Sequence, residues 1–171
     1  MVAPPPPGLA NLSAVEGNTV SVERVINAPA GEIFALLADA GRHATIDGSG
    51  TVGHTTAESM PLSLGSTFSM RMHGRPETMF VPYTMHNKVI EFEKDRRIAW
   101  QPTAFGGLLG GRIWRYELAP AEPGGTLVRE TWDVSRDRQR LLLKMSGMPR
   151  QAEDGMRATL ERIAELLEKR R

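Results

Sequence analysis

From Pro149 onward the chain carries one pattern that limits everything before it. Met156, Leu160, Ile163 and Leu167 recur every three or four residues, while Arg157, Glu161, Glu165 and Glu168 fall on other faces. That spacing predicts a long amphipathic helix with a single apolar stripe, and the stripe needs a cover. The segments upstream read mostly as strands, whose apolar face needs a cover in turn. Strands closed by one such helix imply an α+β arrangement in which sheet and helix bury each other and one core serves the whole domain.

Residues Thr19 to Asn27 alternate as a strand does, and Ala28-Pro29 ends that strand and presets a helix start. A short helix follows from Ala30 to about Ala38, with Ile33, Phe34 and Leu37 on one face, stopped by Asp39 and Gly41. A second helical turn runs into the glycine-rich corner Asp47–Gly50. Six further strands are predicted near Thr51–Thr56, Ser66–His73, Met79–Phe92, Arg97–Gln101, Arg112–Leu118 and Thr126–Val134, with turns at Lys94-Asp95 and Pro123–Gly125. Residues 1–18, with four consecutive prolines, read as a disordered Pro-rich arm, which leaves 19–171 as the folded domain.

Composition removes several function classes. The 21 Lys and Arg nearly cancel the 20 Asp and Glu, and no run of one sign is long enough to track a nucleic-acid backbone, so no nucleic-acid partner is expected. With no cysteine there is no disulfide, no thiolate nucleophile and no sulfur-held metal. His43, His54, His73 and His86 are scattered without a short-spaced pair, so neither a metal nor another cofactor is expected. The N-terminus lacks a signal-peptide pattern, and no apolar run approaches the ~20 residues of a membrane span. A cytoplasmic location without stable membrane insertion is the expectation.

Val22–Ala30 with Ile33 and Phe34, Arg97–Trp100, Trp114–Leu118, Gly125-Thr126 leading into Glu130-Thr131, and the final helix follow one another in a specific order. In that order the chain resembles the START-like (helix-grip, SRPBCC) superfamily, which includes polyketide cyclase/dehydrase and lipid-transfer-like bacterial proteins. The likeness spans about Thr19 to Lys169, and His43–Gly50 is similar to a variant in bacterial members. The resemblance implies a curved, antiparallel seven-stranded sheet around the C-terminal helix, two short helices after the first strand, and an apolar hollow between sheet and helix. It also implies a hydrophobic small molecule as partner.

Strand parity fills in the wall. Trp114, Tyr116 and Leu118 share one face of their strand; so do Phe68, Met70 and Met72, and likewise Ile98 and Trp100. Together with Met85 and Trp132 they predict a lining rich in aromatics and methionine, although each also suits an ordinary filled core. Glu130 falls on the same face as Val128, Trp132 and Val134, so a carboxylate enters a buried row and needs a partner or an altered pKa. Arg24 shares a face with Val20, Val22 and Ile26, and because the first and last strands are neighbours in the helix-grip fold, an Arg24–Glu130 pair is expected. Left unpaired, Glu130 would instead suit general acid or base work. His43 and Asp47, four apart, are rim candidates: Asp47 either orients the imidazole or caps its own corner. Phe105, Leu108 and Leu109 in the glycine-rich hairpin, and the Leu141–Met148 segment, expose more apolar groups than a connection needs, and each either flanks a cavity entrance or packs in the ordinary way, the second as a short helix before Pro149.

The candidate ligand contacts are thus Arg24, His43, Met70, Met85, Trp100, Phe105, Trp114, Tyr116, Glu130 and Trp132. Binding or delivery of a lipid, isoprenoid or polyketide-like compound is the leading expectation. A cyclase/dehydratase-type enzyme using Glu130, Arg24, Tyr116 and His43 is the alternative, and a protein-interaction module through the arm or hairpin is a third.

Overall fold

The computed structural model describes residues 12–53, 59–73 and 81–169. Among the described residues, eight antiparallel strands form one sheet: β1 (Leu12–Glu16), β2 (Thr19–Ile26), β3 (Thr67–Met72), β4 (Tyr83–Glu93), β5 (Arg97–Ala104), β6 (Leu109–Gly110), β7 (Ile113–Pro120) and β8 (Thr126–Asp133). Seven of them run in the order β1-β2-β8-β7-β5-β4-β3, and the two-residue β6 pairs with β5 off that path. The helices are α1 (Ala30–Leu37), α2 (His43–Ile46), α3 (Arg140–Met145) and α4 (Met148–Glu168). The fold is the helix-grip fold: a curved antiparallel sheet around a long C-terminal helix, with short helices after β2.

Besides the unexpected two-residue β6, two strands differ from expectation. Leu12–Glu16, assigned above to the arm, pairs with β2 across Gly17-Asn18, with Glu16 opposite Thr19; the rest of the arm, 1–11, lies outside the described residues. A Gly-Asn pair between two extended runs is a hairpin signal that the proline-rich composition masks. In the expected strand Thr51–Thr56, Val52 makes an isolated bridge to Met72, and residues 54–58 lie outside the described residues.

Alternation drives the packing. Along β2, Val20, Val22 and Ile26 are buried, and along α4, Met156, Leu160, Ile163, Ala164 and Leu167 meet the sheet. Full burial of a Leu or Ile side chain is worth roughly 1.5–3 kcal/mol, so Leu160 and Ile163 alone anchor the helix firmly. The two ends of α4 differ in bulk. Its C-terminal half presents large aliphatics, whereas Ala152 and Gly155 leave space at the N-terminal half. Curvature is helped by a register shift in β4 between Val89 and Glu91, where the extra residue bends the strand.

Candidate functional site

The space beside the N-terminal half of α4 is a cavity of about 190 Å³, walled by β3, β4, β5, β7, β8, the corner after α2 and α4 itself. Strand register sets its aromatic wall. Trp100 in β5 is opposite Trp114 in β7, and Trp114 is opposite Trp132 in β8, so all three tryptophans of the chain stand in one row across the sheet. The next row inward reads Ile98, Tyr116, Glu130, Val22. Five of the nine methionines (Met70, Met72, Met85, Met148 and Met156) line the same space, and their unbranched side chains can repack around irregular shapes.

Glu130 is 3% exposed. Its Oε1 accepts a 2.7 Å hydrogen bond from the Tyr116 hydroxyl directly across the strand pair, and its Oε2 has no partner among the described residues. Burial pushes the Glu130 carboxyl up to about 8, against a smaller opposing effect of the tyrosine bond. Near neutral pH the carboxyl is therefore protonated, and with Oε1 engaged as an acceptor the proton sits at Oε2. Burial, then the adjacent Glu130, also pushes the Tyr116 hydroxyl well above its ordinary value, so Tyr116 remains a donor.

His43 stands on the same wall, 4% exposed. Its ring stacks on Trp100 at 4.8 Å and meets Phe68 edge-on. Nε2 lies 2.8 Å from the Leu37 carbonyl oxygen. A carbonyl only accepts, so Nε2 carries the hydrogen and Nδ1 is a bare acceptor without a partner among the described residues. Burial pulls the imidazole below its ordinary pKa, which keeps it neutral. The indole Nε1 of Trp132, in a residue 1% exposed, is a third atom on this wall without a partner among the described residues.

Asp47 caps its corner. Its Oδ1 accepts from Ser49 N and Oγ, and its Oδ2 from Thr51 N and Val52 N. It therefore does not orient His43. The corner is clamped onto α4 by the Gly48 N–H, which donates to Thr159 Oγ1 at 2.9 Å, and by Arg162, which donates to the Asp47 carbonyl. Gly48 is required there: a Cβ would stand 2.2 Å from Thr159 N.

Eight of the ten expected contacts lie on the cavity wall: His43, Met70, Met85, Trp100, Trp114, Tyr116, Glu130 and Trp132. The expected Arg24–Glu130 pair does not form. β2 and β8 register places Arg24 opposite Val128 and Val22 opposite Glu130, and Arg24 reaches the other way to Glu161 on α4, at 2.5 Å. Phe105 is 58% exposed and stacks on Tyr83, whose ring lines the cavity, so it stands one residue back from the wall. Asn87, 3% exposed, escaped the sequence reading although it shares the inward parity of Met85 and Val89. Arg112 also lines the cavity and is held by the buried Asp137. Among the described residues no group of three His, Asp or Glu side chains converges as a metal site; His54 lies outside them.

The family described as polyketide cyclase/dehydrase and lipid transport matches residues 18–168. The uncharacterised protein Rv0088 of Mycobacterium tuberculosis H37Rv is 29% identical over 144 residues, which are 82% of this chain and 60% of that protein. The chain thus spans about 60% of the length of the curated relatives it matches. A solution structure of a protein from Arthrobacter aurescens superposes with a TM-score of 0.69 at 15% identity, over 92% of this chain and 91% of the other. A crystal structure of a protein from Rhodobacter sphaeroides does so with a TM-score of 0.67 at 15% identity, over 94% and 99%. At these identities the likeness is one of fold.

Proposed function

This chain belongs to the polyketide cyclase/dehydrase and lipid transport family, and from that premise we propose that it binds an apolar small molecule bearing a neutral oxygen-containing head. The body of the molecule, lipid, isoprenoid or polyketide-like, lies against the tryptophan row and the methionines, and the head reaches Glu130, Trp132 and His43. What carries the reading is the presence on one apolar wall of three buried polar atoms without partners among the described residues: Glu130 Oε2, Trp132 Nε1 and His43 Nδ1. Each such atom costs roughly 1–3 kcal/mol when left unsatisfied, and a ligand that completes its hydrogen bond recovers that energy. Protonated Glu130 and the indole N–H donate, and His43 Nδ1 accepts, which together suit a carbonyl beside a hydroxyl. A pocket for a drug-sized ligand spans roughly 300–1,000 Å³, so the methionine walls must yield for a larger body.

A second reading draws on the same atoms. Protonated Glu130 would serve as general acid toward a carbonyl oxygen while neutral His43 Nδ1 takes a proton, the acid–base pair that a cyclase or dehydratase needs. Glu130→Gln separates the two readings, since the amide keeps the shape and a donor but cannot release a proton. A carrier keeps binding and has no turnover to lose; an enzyme keeps binding and loses turnover.

Because all three tryptophans line the cavity, their emission reports its occupancy. Gently purified protein is expected to show a bound organic mass by native mass spectrometry, and the extracted compound to shift that emission when added back. Absence of any bound mass, with no emission change across lipid, isoprenoid and polyketide-like compounds, would refute the proposal.

A further inference from the structure

Next to the cavity lies a surface whose chemistry the ligand reading does not use. In α3, Leu143 turns inward and packs on the core, while Leu141, Leu142 and Met145 are 69%, 70% and 88% exposed. Those three share one face, since positions three and four apart on a helix are neighbours. The hairpin tip between β5 and β6 continues the patch: Phe105 and Leu108 are 58% and 68% exposed, and the Gln139 side chain donates to the Leu108 carbonyl at 2.8 Å, tying the tip to the start of α3. The patch borders the cavity at both ends, through Phe105 stacked on Tyr83 and through Met148 just after α3.

Its charge is one-sided. Residues 136–150 carry Arg136, Arg138, Arg140, Lys144 and Arg150 against the single Asp137, on a chain whose formal net charge is +1. Asp137 is buried and bound to Arg112, so it does not offset the cations at the surface. Arg140 and Lys144, one turn apart and exposed, line one edge of the apolar face of α3, and Lys144 Nζ also donates to Asn18 Oδ1 at 3.3 Å.

We propose that α3 and the β5–β6 tip form a peripheral docking face for an anionic lipid surface, which would set the cavity beside the bilayer without a spanning segment. Apolar side chains edged by cations enter the headgroup region while the cations meet the anionic groups. The inference goes beyond ligand binding and holds for a carrier or an enzyme alike.

The test is sedimentation of the full chain with vesicles of equimolar phosphatidylcholine and phosphatidylglycerol, against pure phosphatidylcholine. Binding is expected to the anionic vesicles and to weaken with salt. Leu142→Glu with Met145→Glu is expected to lower the partition coefficient more than about tenfold. Arg140→Gln with Lys144→Gln should lower it by roughly twenty-five-fold, near fivefold per charge. These side chains are exposed, so both double variants should keep the circular dichroism of the parent, and either one alone decides the matter. No association with anionic vesicles overturns the proposal and leaves the face to a protein partner. Association that survives a folded double variant unchanged overturns it too. Tryptophan emission on ligand addition is read separately, so failure of docking is distinguishable from failure of ligand binding.

Discussion

Changing Glu130 to glutamine removes a buried ionisable group while retaining the Tyr116 hydrogen bond and nearly the same volume. In the unfolded chain this carboxyl titrates near 4.5, and burial raises it to about 8 in the fold. Between those values the folded state holds a proton that the unfolded state releases, so raising the pH favours unfolding. The slope for one proton is about 1.4 kcal/mol per pH unit, and integration from pH 5 to pH 8 gives a loss of roughly 3–4 kcal/mol attributable to Glu130 alone. The loss begins as pH rises through 4.5 and levels off above 8. Urea unfolding of parent and Glu130→Gln at closely spaced pH values isolates it, because every other titrating group is common to both. The variant is expected to match the parent near pH 4.5 and to exceed it by several kcal/mol at pH 8. Parallel stability curves would refute the reasoning, for they would mean that Glu130 ionises in the fold as it does in water.

His43 gives the opposite sign. Burial lowers its pKa below 6.5, so the unfolded chain takes up a proton first as pH falls, and the stability His43 contributes above pH 6.5 is lost below it, at no more than about 1.4 kcal/mol per pH unit. His43→Phe, which can keep the stack on Trp100, should flatten the difference in urea midpoints between pH 7 and pH 5. Gly48→Ala forces a methyl to within 2.2 Å of the α4 backbone and strains the Gly48–Thr159 hydrogen bond; a loss of about 2–3 kcal/mol in urea unfolding is expected. Arg24→Gln should cost less than about 1 kcal/mol, because its partner Glu161 is half exposed. It should leave ligand-induced tryptophan emission unchanged, as Arg24 is off the cavity wall.

The faces of this sheet were legible because side-chain alternation is local: parity in β5, β7 and β8 alone put Trp100, Trp114, Tyr116, Glu130 and Trp132 on one side. Partners were less legible because they depend on register, which sums packing over a whole strand pair. Arg24 and Glu130 share the inward face, but the β2–β8 register sets them one inward position apart, and α4 supplies a carboxylate that no strand pattern reveals. The Tyr116–Glu130 pair had a usable signal, since the two residues lie equally far from Pro123 at the centre of their connecting turn.

The polar atoms proposed to meet a ligand are harder still to read, since what matters is the hydrogen bond that each lacks. Tyr116 occupies one oxygen of Glu130, and the Leu37 carbonyl occupies one nitrogen of His43. Only after those partners are counted do Oε2 and Nδ1 stand out as unsatisfied. The Leu37 carbonyl is backbone at the end of α1, and any residue there would present it. The tautomer of His43, and with it the acceptor offered to a ligand, is thus fixed by the path of the chain between α1 and α2 rather than by any side chain a motif could record.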